Sequence, residues 1–298
     1  MTYPNADTAD LNTVGVAGLL RQSHNSAALQ KPRSLQKFAN AALKSAAGFW
    51  FIVAAIGQLV FALYIVVFYG RTAMHGNWKA LNKAMPHAYV PGDTLGNVVS
   101  AIHLLLAVVI IVGGLIQLIP QTRERAPSFH RWNGRVYILT AFAISIVGPY
   151  ALWSRGTVGD LSQHIASSLN AVLIVLCAVM ALRYAIARKF SIHRRWALRL
   201  FLVVSGVWFF RVGLMLWIAL NKGPVGFNMK TFTGPVLTIW AFGKYLLPLA
   251  VLELYLRARD RAGAPARIAM AVALVVLTLG MGVGIAVFSI VWWLPHMK

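Results

Sequence analysis

The chain has 298 residues, of which 59% are hydrophobic and 12% are charged, and its formal net charge is +21 at pH 7. This composition leaves apolar runs that are too long for the core helices of a soluble protein, so it predicts a polytopic membrane protein. The one cysteine, Cys177, excludes an intrachain disulfide, a cysteine-rich metal centre and the covalent attachment of c-type haem. Neither a phosphate-binding glycine loop nor a His-Glu-x-x-His motif is present, so nucleotide hydrolysis and metalloprotease chemistry have no support.

The first 47 residues contain polar, small and scattered basic residues, without a sustained hydrophobic period. A segment of this composition buries too little apolar surface to order itself. It predicts a mobile cytoplasmic tail over residues 1–47, followed by a transmembrane domain over residues 48–294.

Seven runs of about 18 or more mostly apolar residues follow this tail. At about 1.5 Å per residue, such a run crosses a hydrocarbon layer of about 30 Å, and a helix satisfies its own backbone inside lipid. The sequence therefore predicts an all-α bundle of seven transmembrane helices with a four-helix core over residues 94–220. The runs are residues 49–69, 97–119, 136–153, 165–187, 200–220, 235–256 and 268–291.

Lysine and arginine residues concentrate on alternate connections between the runs, with nineteen on one side of the membrane and seven on the other. Basic connections are retained in the cytoplasm, so the N-terminus is expected inside and the C-terminus outside. The outer connection, residues 70–96, contains His75 and His87 and is expected to form a loop or short helix over the bundle. Contact with anionic lipid of the bilayer accounts for the positive charge, and no nucleic-acid partner is expected.

A short motif occurs twice, as His130–Trp132 before the third run and as His193–Trp196 before the fifth. Each copy has a histidine upstream, His103 and His164, at intervals of 27 and 29 residues. An even number of spans preserves orientation, so the pattern predicts a parallel two-helix repeat in helices 2-3 and 4-5. His103 and His164 would form an outer layer, and His130 and His193 an inner layer.

These four histidines predict haem ligands, because a b-type haem takes two imidazoles from adjacent helices of a bundle. His103 would pair with His164 and His130 with His193, each pair holding the iron of one haem b. A quinone or other electron-transfer partner would then exchange electrons with the two haems. Alternatively, the motif anchors helix ends, since arginine contacts headgroup phosphates and tryptophan belongs to the aromatic belt. A different metal or substrate site also stays open.

Two cations, Arg211 and Lys244, lie within the predicted fifth and sixth helices at about the depth of His103. Charge at that depth is costly, so they predict a site for a haem propionate, a quinone head group or an anionic substrate, with snorkelling to the interface as the alternative. Other residues in the runs are expected to make structural contacts: Glu253 with Arg257 or Arg199, Gln58, Gln117 and Asn170 between helices, and Gly280, Gly282 and Gly284 at close helix approaches.

Several short motifs together resemble a family of bacterial integral membrane proteins described as a predicted membrane domain of unknown function. They are Pro91–Asp93, Gly96–Asn97, His103, Gln117–Pro120, His130–Tyr137, His193–Trp196 and Trp208–Arg211. The resemblance covers about residues 48–260 and implies a multi-span protein of a bacterial inner membrane. The order of the four histidines is also similar to that of the ascorbate-reducible di-haem transmembrane cytochromes b.

Two functional hypotheses follow from the sequence, and neither includes a catalytic residue. The first is a b-type haem electron carrier in which Arg211 neutralises a propionate. The second is a cofactor-free transporter or membrane-assembly protein in which Arg211 and His103 bind an anionic ligand in an outer-side pocket.

Overall fold

The computed structural model describes residues 10–83, 87–156 and 159–297, with side chains described from residue 34 onward except at residue 83. Within these ranges the chain is helical, and the only β-structure is an isolated bridge between Asn228 and Thr233. The helices are α1 Asp10–Tyr64, α2 Gly70–Met74, α3 Thr94–Leu118, α4 Pro120–Arg125, α5 Pro127–Arg155, α6 Leu161–Ile186, α7 Phe190–Val204, α8 Gly206–Asn221, α9 Pro235–Arg261, α10 Ala264–Phe288 and α11 Leu294–Met297.

The described part of the chain contains six helical segments that are long and apolar enough to cross a membrane, and the pair α7 and α8 makes a seventh if it counts as one bent span. This confirms the predicted all-α, multi-pass membrane bundle. The six segments are Ser34–Met74, Thr94–Leu118, Pro127–Arg155, Leu161–Ile186, Pro235–Arg261 and Ala264–Met297.

The first helix starts well before the predicted membrane domain. It begins at Asp10, Leu43 and Ala46 are buried in a cluster with Met270 and its neighbours on α10, and Ala39 is fully buried. Residues 1–9 lie outside the described residues. The predicted division at residue 47 stays a prediction, but buried side chains extend eight residues ahead of it, to Ala39.

The third span is also longer than its apolar run. The run covers residues 136–153, whereas α5 begins at Pro127 and has 29 residues. Proline suits the first turn of a helix because its missing N–H would have no partner there. The motif His130–Trp132 therefore forms the first turns of α5, and His193 similarly lies in the first turn of α7.

The helices pack in a closed sequence around an interior space. α3 packs on α5, α5 on α6, and α6 on α7 and α9, while α8 packs on α9 and α10, α10 on α1, and α1 on α3. The connections that hold residues 87–93 and 222–234 lie at one end, named here the loop end. The connections after α3 and α6 lie at the opposite, arginine-rich end. The predicted two-helix repeat is not confirmed, since α5 is continuous whereas its counterpart is broken.

That break lies at Ser205, where α7 and α8 meet at an angle of 55°. Two polar side chains from other helices hold it. Gln58 of α1 donates from Nε2 to Ser205 Oγ (3.0 Å), and Asn170 of α6 donates from Nδ2 to the Val203 carbonyl oxygen (3.1 Å). Such bonds are needed because backbone groups freed inside a membrane must find partners in the protein. The predicted interhelical roles of Gln58 and Asn170 are confirmed.

A close approach between α8 and α10 depends on Gly284. A Cβ atom built on Gly284 would collide with the Val212 carbonyl oxygen, which is backbone and cannot rotate away. Gly284 therefore serves as the predicted close helix contact, whereas a Cβ on Gly282 would meet only Val53 Cγ1, at 3.9 Å.

We expect Gly284→Ala to destabilise the folded protein by about 1–3 kcal/mol, because the added methyl group forces the two helices apart. Thermal unfolding of the purified protein in a nonionic detergent measures this loss. Gly282→Ala on the same helix is the matched control and should unfold close to the wild-type temperature. Equal midpoints for the two variants would show that the contact between α8 and α10 does not limit stability.

Candidate ligand-binding cavity

A cavity of about 280 Å³ lies inside the bundle. Its walls come from α1, α3, α5, α6, the broken pair α7 and α8, α9 and the C-terminal end of α10. Much of the wall is apolar and aromatic, but several helices contribute residues with polar side chains to it: Gln58, Tyr69, Ser100, His103, Ser145, Ser167, Asn170, Ser205, Arg211 and Lys244.

Two of these wall residues are cations. The guanidinium carbon of Arg211 lies 5.2 Å from the centre of the Phe61 ring, and Arg211 makes no hydrogen bond with any residue that the structure describes. Lys244 donates from Nζ to Ser167 Oγ (2.9 Å) and lies 5.7 Å from the centre of the Phe210 ring. Both side chains therefore keep donors available to the cavity.

No carboxylate among the described residues balances these charges. The five acidic residues with described side chains all lie outside the cavity wall. They bind elsewhere, with Asp93 on Arg155, Glu124 near Arg123, Asp160 on the Gln163 backbone N–H, Glu253 on Arg199, and Asp260 on Arg195 and Arg259. Unpaired charge inside a membrane protein is expensive, so the cavity favours an anion. The pairing of Glu253 with Arg199 confirms one of the two predicted partners.

Most buried polar atoms without a hydrogen-bond partner also belong to this cavity. They include Tyr137 Oη, Trp208 Nε1 and Trp293 Nε1, all of which can donate, together with His103 Nδ1. Native proteins leave few buried polar groups unpaired, and each unpaired group points to a missing partner such as a ligand or a water molecule. These atoms have almost no accessible surface themselves, so they mark unpaired groups within the wall of the cavity rather than donors exposed to its space.

The break in the fifth span faces the same space. Ser205, Val207 and Arg211 line the cavity, so one side of the first turns of α8 faces it. Val207 and Arg211 are four residues apart and therefore lie on the same face of the helix.

His103 and His164, the predicted outer pair, occupy different surroundings. His103 lines the cavity beside α5, where a Cβ on Gly148 would lie 3.6 Å from the imidazole Cε1. His164 is not among the wall residues, and its ring packs edge-on against Trp153 of α5, with ring centres 5.2 Å apart. Gly148 and Trp153 lie about 140° apart around the helix axis. The structure therefore sets the two imidazoles against different faces of α5.

The predicted inner pair lies at the arginine-rich end. The His193 Nδ1 atom forms a hydrogen bond with the Ala181 carbonyl oxygen at 2.9 Å, and the backbone carbonyl of His130 accepts a bond from Gln117 Nε2 at 2.8 Å. The predicted interhelical role of Gln117 is thereby confirmed. Buried His130 Nδ1 has no hydrogen-bond partner. In the described part of the chain, no three His, Cys, Asp or Glu side chains converge on a possible metal ion.

Sequence reasoning identified Arg211, Lys244 and His103, and the structure brings all three to one cavity. The sequence did not predict Ser167, Tyr69 and Trp293, which also line the cavity. The run Ser167–Asn170 on an otherwise apolar helix was the signal available for Ser167. Tyr69 and Trp293 lie in π-helical turns at Ile65–Tyr69 and Ser289–Trp293, whose extra residue per turn no simple helical period anticipates.

Comparison with known proteins identifies one family whose model matches part of the chain. No curated protein and no solved structure matches the chain. Residues 100–247 match a family described as "Predicted membrane protein (DUF2306)", and the match includes His103, Arg211 and Lys244. The resemblance to a family of predicted membrane proteins is thus confirmed, and the central part of this multi-pass membrane protein, residues 100–247, is a DUF2306 domain.

Proposed function

We propose that this protein binds a small organic anion in the interior cavity, as a transporter or carrier without a cofactor. The observation that carries the proposal is the pair Arg211 and Lys244, two cations that line one interior cavity with no carboxylate among the described residues to balance them. A ligand with a carboxylate or similar head group would supply the missing charge. The apolar remainder of the wall favours a hydrocarbon body on that ligand.

The broken helix supports transport in particular. A discontinuous helix whose half-helix end faces a binding site near the middle of the membrane is a recurrent feature of secondary transporters. Here Gln58 and Asn170 hold the broken ends from two different helices. Rearrangement of those two hydrogen bonds would change the angle between α7 and α8, and α8 carries Arg211.

A panel of three probes with the same chain length tests the proposal: hexanoate, hexanol and hexylamine. A ligand that binds only the folded state raises its stability by about 2.7 kcal/mol at a hundred times its Kd, which corresponds to roughly 5–10 °C in Tm. We expect hexanoate to raise the Tm of the purified protein and the other two to leave it unchanged. Equal stabilisation by hexanol would contradict a site that recognises charge.

The localisation is inferred from the distribution of lysine and arginine residues between the two ends of the bundle. The arginine-rich end faces the cytoplasm of a bacterial inner membrane, which puts the C-terminus outside and the cavity nearer the outer surface. Reporter fusions to the C-terminus, active only in the periplasm or only in the cytoplasm, test this. A C-terminal reporter active in the cytoplasm would reverse the orientation.

The haem carrier is the second candidate, and unpaired ring nitrogens favour it. His103 Nδ1, His130 Nδ1 and His164 Nε2 are buried without a hydrogen-bond partner. The outer pair fits poorly, because the two imidazoles contact different faces of α5, so haem ligation by His103 and His164 stays a prediction. Haem, when bound, would supply one-electron transfer. An absorption spectrum before and after dithionite reduction decides: a Soret band that shifts on reduction supports haem, and its absence after expression with ample haem contradicts it.

A further inference from the structure

A second, apolar space adjoins the cavity. It is a groove of about 390 Å³ along α9, bounded by α1, α7, α8 and α10. Its wall is mainly aliphatic and aromatic, and the polar groups in it are those of Lys244 at one end and Arg259 at the other, with tryptophan and tyrosine between. Leu247 and Leu277 of this wall are 45% and 42% exposed, so the groove is open to the surrounding lipid.

Lys244 and Phe201 line both spaces. The ammonium group of Lys244 is turned toward the cavity, where Ser167 of α6 accepts its hydrogen bond at 2.9 Å. The lysine residue thus stands at the junction, with the apolar groove on one side and the polar cavity on the other. An amphiphilic molecule lying across this junction would meet matching chemistry on both sides.

The two ends of the groove differ in how their cations are paired. At the far end, Arg259 donates from Nε to Asp260 Oδ1 at 2.8 Å, a carboxylate that Arg259 shares with Arg195. At the near end, Lys244 and Arg211 have no carboxylate partner among the described residues. The distance along α9 from Lys244 to Arg259 is about 22 Å, which exceeds half of a hydrocarbon layer of about 30 Å and leaves room for one extended chain.

From this arrangement we infer that the ligand is a single-chain lipid-like amphiphile, such as a long-chain carboxylate. Its anionic head lies in the cavity at Arg211 and Lys244, its hydrocarbon chain lies in the groove along α9, and it enters sideways from the bilayer. The inference rests on the proposed anion site and specifies its substrate class. It also accounts for an apolar groove beside a cavity whose wall contains two cations.

The test compares hexadecanoate with hexanoate on two tryptophan variants of α10. Leu277 lines the groove, whereas Leu279 is 57% exposed and lies outside it. We expect Leu277→Trp to weaken hexadecanoate binding by about tenfold or more, since the indole occupies the path of the chain. Hexanoate, which is held in the cavity, should bind this variant as it binds wild type. Leu279→Trp should bind both probes normally.

Each result points to one conclusion. If hexanoate binds selectively but Leu277→Trp leaves hexadecanoate affinity unchanged, the groove assignment is overturned and the anion site remains. If neither carboxylate binds better than its alcohol, the proposed function itself fails. If hexadecanol competes as well as hexadecanoate, the cavity does not recognise the charged head group and its placement there is overturned. Val251→Trp, on the α9 side of the groove, repeats the test if Leu277→Trp does not fold, and should show the same loss.

Discussion

Replacing Arg211 by glutamine is expected to lower hexanoate affinity by about 10- to 100-fold while raising the stability of the ligand-free protein. A hydrogen bond to a charged group contributes about 1.5–3 kcal/mol, and about 1.4 kcal/mol corresponds to a factor of ten in affinity. The gain in stability arises because Arg211 is a cation that faces a membrane-embedded cavity without a counter-charge. Removal of an uncompensated buried charge relieves its desolvation cost.

The opposite directions of these two effects separate a ligand-binding role from a structural one. A structural arginine would lose stability on replacement, and any loss of binding would follow from misfolding. Titration with hexanoate and thermal unfolding without ligand, both on the same preparation, give the two values. Lys230→Gln removes an exposed cation at the loop end and serves as the control, with both values expected to equal those of wild type. Lower ligand-free stability in Arg211→Gln would refute the functional assignment.

The fold was largely readable from the sequence because one effect, the transfer of apolar side chains into lipid, mainly determines where membrane spans form. The same reasoning explains the polar contacts. Gln58, Gln117 and Asn170 are costly in hydrocarbon, so a hydrogen bond to a neighbouring helix was predictable, and the structure contains all three. Which atom each one meets depends on helix rotation, which an apolar run does not specify.

The site was only partly readable, for reasons that lie in the packing. Residue counting places Arg211 and Lys244 at about the depth of His103. It does not reveal the break at Ser205, because the run of residues 200–220 contains no proline, and a Ser-Gly pair such as Ser205–Gly206 permits a kink without requiring one. The bend arises from tertiary hydrogen bonds to Ser205 and Val203. His103 on α3 and His164 on α6 were expected to face each other directly. In the structure α5 packs between these two helices.

Trp293 shows that a position near the end of a membrane span does not by itself place a tryptophan side chain in the aromatic belt. A tryptophan next to the C-terminal end of the last span is typical of the membrane interface. In the structure its side chain is fully buried, stacked at 5.3 Å from the Phe61 ring, and it forms part of the cavity wall. The π-helical turn Ser289–Trp293 rotates it inward. The tryptophan side chain therefore belongs to the packed interior and not to the aromatic belt.

The second large effect is expected from Arg155→Ala, which should lower the Tm of the protein by about 5 °C or more. The Arg155 side chain is 5% exposed and joins the end of α5 to the loop before α3. It donates to the carbonyl oxygens of His87 (2.8 Å) and Ala88 (3.2 Å), and to Asp93 Oδ2 at 2.6 Å. Alanine removes the one side chain that joins these acceptors of the loop to the end of α5, including a charge-assisted bond to Asp93.

Two comparison variants locate the cause. Arg155→Lys keeps the charge but lacks the planar fork that reaches several acceptors at once, so it should recover only part of the lost stability. Arg123→Ala removes an exposed arginine that pairs with the adjacent Glu124, and an exposed pair of this kind contributes little. If Arg155→Lys restored the full wild-type Tm, charge alone would account for the effect and the fork geometry would be irrelevant.

Acidification should remove part of the Arg155 effect. The Arg155 guanidinium, together with the Gly96 backbone N–H, holds the pKa of Asp93 below its ordinary value. A carboxylate with a lowered pKa contributes stability above its unfolded-state pKa and loses that contribution as the pH falls through its folded-state pKa. The Tm difference between wild type and Arg155→Ala should therefore become smaller at acidic pH, as measured by thermal unfolding across a pH series.

In an Asp93→Asn background the Tm difference should not change with pH, because the titrating partner of Arg155 is absent. If the Tm difference caused by Arg155→Ala also stays constant with pH when Asp93 is present, the bonds to the carbonyl oxygens of His87 and Ala88, rather than the ion pair, provide the stabilisation.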